Sequence, residues 1–250
     1  MPSVNTHHLV ARETLQRLPA ALQNRIKPYL SVYFYGAQGA DFCFFYKFIR
    51  PRRRNLGSYL HRKGGYDAFS VLKSFSARDD FALTYALGYV THYAADTLFH
   101  PHVYAAAGKS LLLHSRIEGA LDVLFTSVFS HAKTRYARPD LSEMDIHELF
   151  LIYAAITAKT DFPPLIKSSF VNAVKLFNAY LPVSFSLFGE KRPRLLAAVF
   201  GKENPQKTAV GIFRNAVEQS LLLIDEFLQA VNENAPLPRP LFGKNYLSGK

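Results

Sequence analysis

FALTYALGYVTHYAADTLFHPH, residues 81 to 102, is the stretch on which the fold turns. It is apolar and aromatic, lacks the strict alternation of a half-buried strand, and follows Asp79 and Asp80, residues suited to capping a helix N-terminus. It therefore reads as one strong helix. Its expected end lies before Pro101, because proline has no amide hydrogen to give and disfavours helical backbone in the residue ahead of it.

Working outward, the helical pattern recurs in LLLHSRIEGALDVLFTSVFSHA (111–132), SEMDIHELFLIYAAITA (142–158), PLIKSSFVNAVKLFNAYL (164–181) and KTAVGIFRNAVEQSLLLIDEFLQAVN (207–232). A first helix is expected from Asn5 or Thr6, with Leu9, Val10, Leu15 and Leu18 inward, until Pro19 interrupts it. In YGAQGADFCFFYKF (35–48), Gly36 and Gly39 mark a turn with unusual backbone angles that delivers Asp41 ahead of an aromatic run, read as a short buried helix. Leu, Ala and Phe dominate, and regular short strands are absent. The expectation is an all-α fold in one domain, 1–250: a histidine-rich half over about 6–122, further helices over about 140–232, and a proline-rich tail, 235–250, docked or loose.

The hydrophobic share of 49% is ample for a core. A single cysteine, Cys43, excludes an internal disulfide framework and any zinc site built on several thiolates, so a metal would need His, Asp and Glu. The start lacks the apolar segment of a secretory leader, and no apolar run approaches the roughly 18 residues of a membrane span, so the chain is expected to be soluble and cytoplasmic. Thirty Lys and Arg against nineteen Asp and Glu, a net charge of +11, favour anionic partners: phosphates, nucleic acid or an acidic membrane surface. The basic run RPRRR, residues 50 to 54, reads as a solvated loop, and both glycine-rich phosphate-loop patterns are absent.

Seven of the nine histidines fall in the first 114 residues, and His92, His100 and His102 lie within eleven residues of one another together with Asp96. On a helix turning about 100° per residue, His92 and Asp96 stand about 40° apart and can converge on one point. His100 continues that stripe if the helix reaches it. Pro101 leaves His100 and His102 at the helix end or in the turn after it, and spacing alone does not choose between them. His114, Glu118 and Asp122 share a face of the next helix at four-residue intervals. Two facing helices that each offer imidazole and carboxylate resemble the way metal sites are built inside bundles. Such donors suit Zn²⁺ or a neighbouring divalent metal, and bridging carboxylates let several ions share one cleft. His8, His131 and His147 are assigned to packing or solvent. Asp122 stands between a carboxylate that supports a ligand and one that makes a salt bridge.

In order along the chain, TH near the start, YGAQGADFCFFY, the isolated His61, GYVTHYAADTLFHPH and HSRIEGALD resemble the zinc-dependent phospholipase C family, whose relatives include the single-strand-specific zinc nucleases. The resemblance spans about residues 6–122, and the helices after 140 add little to it. It implies an all-helical fold with three zinc ions in a cleft. It further implies that His92 and Asp96 are a ligand pair joined by His61, with Asp96 bridging two metals. His114 and Glu118 resemble the pair that holds another zinc, completed by His100 or His102. His102 has the ten-residue spacing from His92 seen in secreted members, whereas the FHP context of His100 resembles bacterial relatives and is preferred. Asp41 resembles the aspartate beside the metals, as ligand or as base toward the attacking water. Secreted members use the amino group of an N-terminal tryptophan for one zinc. This chain has no tryptophan, so His7 with Asp96 is the expected holder of a third ion, two ions being the firmer number.

The implied activity is phospholipase C-like hydrolysis of a phosphodiester by metal-activated water, acting on a phosphoester substrate such as phospholipid at a membrane surface. The alternatives are a single-strand nuclease, with nucleic acid as partner, and a non-catalytic metal-binding protein for anionic partners.

Overall fold

A computed structural model describes residues 4–47, 55–129, 140–188 and 190–250, and every regular element among them is helical. The RPRRR run and His131 lie outside these residues. In order come α1 (Val4–Arg17), α2 (Ala20–Ile26), α3 (Leu30–Gly36), a 3₁₀ turn (Asp41–Phe45), and α4 (Leu56–Tyr59), which passes through a π turn (Leu60–Gly64) into α5 (Gly65–Ser76). There follow α6 (Asp80–Ala107), α7 (Leu111–Phe129), α8 (Glu143–Ala158), α9 (Lys167–Phe188), α10 (Pro193–Phe200), α11 (Pro205–Asn232) and α12 (Arg239–Phe242).

The Asp79 carboxylate caps α6, accepting the amides of Phe81 and Ala82 at 3.2 Å each. From Phe81 to Thr97 every α6 residue is buried, because α3, α5, α11, α1 and α7 pack around it. The approach of α3 is backbone to backbone: a Cβ at Gly88 would fall 2.0 Å from the Tyr33 carbonyl oxygen, and one at Gly36 2.3 Å from that of Tyr85. One apolar cluster gathers around the first part of α6, with Phe69, Tyr89, Phe177 and Phe227. A second surrounds its last turns, with Phe99, Val103, Phe125 and Phe213. His92, Asp96 and His100 lie where the two clusters meet.

The sequence-based end of α6 is corrected: the helix continues through Pro101 to Ala107 and closes at Gly108, with φ +55. Phe99, Val103 and Ala107 bury against α7, α10 and α11, and that burial outweighs the lost Thr97–Pro101 hydrogen bond. The N-terminus of α1 also differs, since Asn5 and Thr6 lie inside a helix already running at Val4. Helix α9 starts at Lys167 and runs on to Phe188, and α10 was not read from the sequence: it is short, and its register is set by burial of Leu196 and Phe200. The tail is docked. Leu237, Phe242 and Tyr246 are buried, and the Tyr93 hydroxyl donates to the Leu241 carbonyl (2.7 Å) while accepting the Lys244 amide (3.0 Å). No helix among the described residues is long and apolar enough to cross a membrane.

Candidate metal centre

Asp96 is the hub. Its Oδ1 lies 3.3 Å from His7 Nε2, and its Oδ2 lies 3.3 Å from His92 Nε2, 3.4 Å from His61 Nε2 and 3.4 Å from His100 Nδ1. Asp41 stands beside it, with one oxygen 3.2 Å from His61 Nε2 and the other 4.0 Å from His92 Nδ1. Farther along, Glu118 Oε1 lies 2.9 Å from His114 Nε2 and 3.5 Å from His100 Nε2. All eight side chains are buried. Three triads bring their donor atoms within 4.8 Å of one another: His7, Asp41 and His92; His61, His92 and Asp96; His100, His114 and Glu118. His102 does not join them. It is exposed on α6, with its ring 5.7 Å from that of Phe200. His8 packs on Phe34 at 4.3 Å, and His147 is half-buried on α8.

The donor atoms fit a cation better than they fit each other. Two ligands held about 2.0–2.1 Å from one zinc at the tetrahedral angle lie about 3.3–3.4 Å apart, whereas a charge-assisted N–H···O bond closes to about 2.7–2.9 Å. Around Asp96 the spacings are those of shared coordination. Consistently, His61 Nε2, both ring nitrogens of His92 and Asp96 Oδ2 are buried without a hydrogen bond, a costly condition unless a cation satisfies them.

Each of these side chains is aimed by its own local structure. At Gly39 the backbone takes φ +52, and a Cβ there would sit 2.0 Å from His92 Cδ2, so the turn that delivers Asp41 can pass the imidazole only as glycine. The hydroxyls of Tyr85 and Tyr153 hydrogen-bond each other at 2.7 Å, and one of the pair donates on to the Gly39 carbonyl, 3.4 and 3.3 Å away, which ties the turn to α6 and α8. In the π turn, His61 Nδ1 donates to the Gly57 carbonyl at 2.7 Å, and that bond turns Nε2 toward Asp41 and Asp96. Asp122 is the anchor of α1: its two oxygens accept the amides of Asn5 (3.2 Å) and Thr6 (2.8 Å) and the Thr6 hydroxyl (2.8 Å), beside His7.

Tyr246 and Tyr104 were not found by sequence reasoning. The Tyr246 carbonyl lies 3.3 Å from His100 Nδ1, its amide donates to the His61 carbonyl at 3.0 Å, and its ring packs 5.1 Å from that of His61. The Tyr104 ring packs 4.7 Å from that of His114 and lines the same cleft as Leu247 and Phe44. Tyr104 stands four residues after His100, a signal hidden by ending the helix at Pro101. Nothing in the tail's sequence announces Tyr246, whose partners come from distant helices.

The electrostatics follow from burial against the carboxylates. Burial opposes a proton on His61, yet hydrogen bonding and attraction from Asp41 and Asp96 push its pKa up to about 10. His7 is raised in the same way: burial opposes, and Asp96 prevails. For His92 burial wins, bringing it down to about 4. Burial would raise Asp41, Asp96 and Glu118, but the facing imidazoles hold all three below the ordinary carboxylate range.

Residues 6–168 match the sequence pattern of the family described as zinc dependent phospholipase C. The chain belongs to that family. The match includes α8, beyond the span of the sequence-level resemblance, in keeping with Tyr153 supporting the Asp41 turn. No curated protein and no solved structure gives a significant match. The all-helical fold and the buried His, Asp and Glu triads agree with a zinc-dependent hydrolase.

Proposed function

We propose that this member of the zinc-dependent phospholipase C family hydrolyses a phosphodiester by attack of water, with phospholipid as the substrate class. The spacing of the donors around Asp96 is the observation that supports this most strongly. His61, His92 and Asp96 would hold one ion, His100, His114 and Glu118 a second, and His7 with Asp96 offers a place for a third. Bound zinc supplies polarisation of the phosphoryl oxygens and lowers the pKa of a bound water to about 7. Asp41, kept ionised by His92 and His61, is positioned to accept the proton of the attacking water. Tyr104, pushed up to about 12 by burial, keeps its proton and can donate a hydrogen bond into the cleft. Leu111 and Leu112, 51% and 55% exposed in the turn before His114, favour an acyl-chain partner over a nucleic acid strand.

The test is elemental analysis of purified protein combined with hydrolysis of short-chain phospholipid and of single-stranded DNA, wild type against Asp96→Asn. Bound zinc with lipid hydrolysis, both sharply reduced in the variant, is the expected result. Turnover of DNA alone would move the assignment to a nuclease, and zinc without any turnover would move it to a binding protein.

A further inference from the structure

Beside the metal cleft lies a second cavity of about 220 Å³, with Arg62, Lys63, Arg239 and Lys244 on its walls, together with His61 and Tyr66. No Asp or Glu side chain lines it, and none of the four cations forms an ion pair among the described residues. Lys63 acts on the exposed Asp161, whose pKa is lowered chiefly by Tyr59 and only lastly by Lys63. Four like charges around one hollow repel one another, an arrangement that an anion would relieve.

The cavity is built rather than accidental. The Arg239 guanidinium lies over the Tyr66 ring at 4.3 Å, and the Tyr66 hydroxyl donates to the Leu237 carbonyl at 3.0 Å, which favours that placement of the cation. Lys244 is held through its amide by Tyr93, and the carbonyl of Arg62 accepts from the Asn245 side chain at 3.3 Å. The cavity also adjoins the metal cleft: His61 lines both, and the charge of Arg62 acts on Tyr104 inside the cleft. The π turn thus turns His61 toward the metals and sets the exposed Arg62 and Lys63 at the cavity.

We propose that this cavity is an anion subsite that receives a phosphate on the substrate's headgroup, one group beyond the scissile phosphodiester. Two arginine forks and two ammonium groups match a dianionic phosphate monoester in geometry and charge. A compact hollow fits one small phosphorylated headgroup; a polynucleotide would need an open groove with stacking faces, and the face of Tyr66 is already taken by Arg239. The proposal rests on the phosphodiesterase reading above, and its test separates the two.

Zinc-loaded full-length protein is assayed on short-chain phosphatidylcholine and on short-chain phosphatidylinositol 4-phosphate, wild type against Arg239→Gln/Lys244→Gln and against Arg62→Gln. The phosphorylated headgroup is expected to be preferred in kcat/KM by about tenfold or more, the scale of a lost charge-assisted contact. The double variant should lose that preference while hydrolysing phosphatidylcholine at the wild-type rate. Equal rates in the wild type, or a preference that survives both variants, overturns the subsite. In parallel, calorimetric titration of the same proteins with inorganic phosphate and with inositol 1,4-bisphosphate should show one fewer binding equivalent in the double variant. Loss for both probes means a general phosphate site; loss for the inositol phosphate alone means a headgroup site. If neither lipid is hydrolysed, the activity reading fails and the titration alone decides: an equivalent lost in the variant upholds the subsite, and identical titrations reject it. Cleavage of single-stranded DNA that depends on Arg239 and Lys244 would overturn the headgroup assignment.

Discussion

The two ends of the metal centre are built differently. At the Asp96 end, four histidines surround one carboxylate at 3.3–3.4 Å, longer than a charge-assisted hydrogen bond, and Asp96 Oδ2 and both ring nitrogens of His92 are left without one. At the Glu118 end, His114 closes on the carboxylate at 2.9 Å and forms an ordinary hydrogen bond. The difference teaches that the donors of the first end are arranged to converge on a cation, while the second satisfies part of its polarity within itself. Metal dependence should therefore be steepest at Asp96.

The most severe way to probe this contrast is Asp96→Asn against Glu118→Gln. Asp96→Asn should strip more than one zinc equivalent and cost several kcal/mol of transition-state stabilisation, roughly a thousandfold in kcat/KM. Glu118→Gln should strip one equivalent only. Elemental analysis alongside kinetics reads both, and equal losses would erase the distinction.

Next in size is the pH response of the zinc-free protein. His61 and His7, raised in the folded state, contribute stability that is complete below the ordinary histidine value and is lost as pH rises, for His61 through about 10. His92, lowered to about 4, acts in the opposite sense: stability falls as pH drops from the ordinary histidine value toward 4. The depressed carboxylates of Asp41, Asp96 and Glu118 add to that acid limb below the ordinary carboxylate value. Thermal stability without metal should thus peak near the ordinary histidine pKa of about 6.5. With zinc bound, the alkaline decline from pH 6.5 to 8 should vanish, because the metal replaces the proton on His61. Melting curves that decline equally with and without zinc would contradict this.

Asp122 sharpens the comparison from one turn away on the same helix as Glu118. Asp122→Asn removes an acceptor from the start of α1 and should destabilise by about 1–3 kcal/mol. It should also weaken the ion nearest His7 by about tenfold to a hundredfold, as loss of a supporting partner does elsewhere. The other ions should stay. At the bottom of the scale, His102→Ala should shift stability by no more than about 0.5 kcal/mol and leave zinc content unchanged.

Much of this was legible in the sequence because it depends on local rules. The four-residue spacing places His92 over Asp96 and His114 over Glu118 whatever surrounds the helices, and Gly39 announces the turn before Asp41, whereas Gly36, expected to share its unusual backbone, is the last residue of α3 and serves the close approach to α6. What escaped depends on packing between distant segments. Pro101 argues for a helix end by backbone chemistry alone, and only burial of Phe99, Val103 and Ala107 carries the helix past it, which also decides that His100 and not His102 faces the triads. Asp122 shares a face with Glu118, so periodicity could not say that it would cap another helix. Tyr246 reaches His61 and His100 from a segment whose sequence carries no periodic signal at all.

Gly39 has a bearing on how this molecule would look in a mutational screen. A survey replacing each residue with alanine and scoring activity would rank Gly39 with the ligands, although it brings no donor, charge or proton. Its contribution is vacant volume, which the His92 imidazole fills, and a methyl group 2.0 Å from that ring would evict it. A position that offers nothing to the chemistry would read as part of it, and only zinc content measured beside His92→Ala would show that the two variants fail for the same reason.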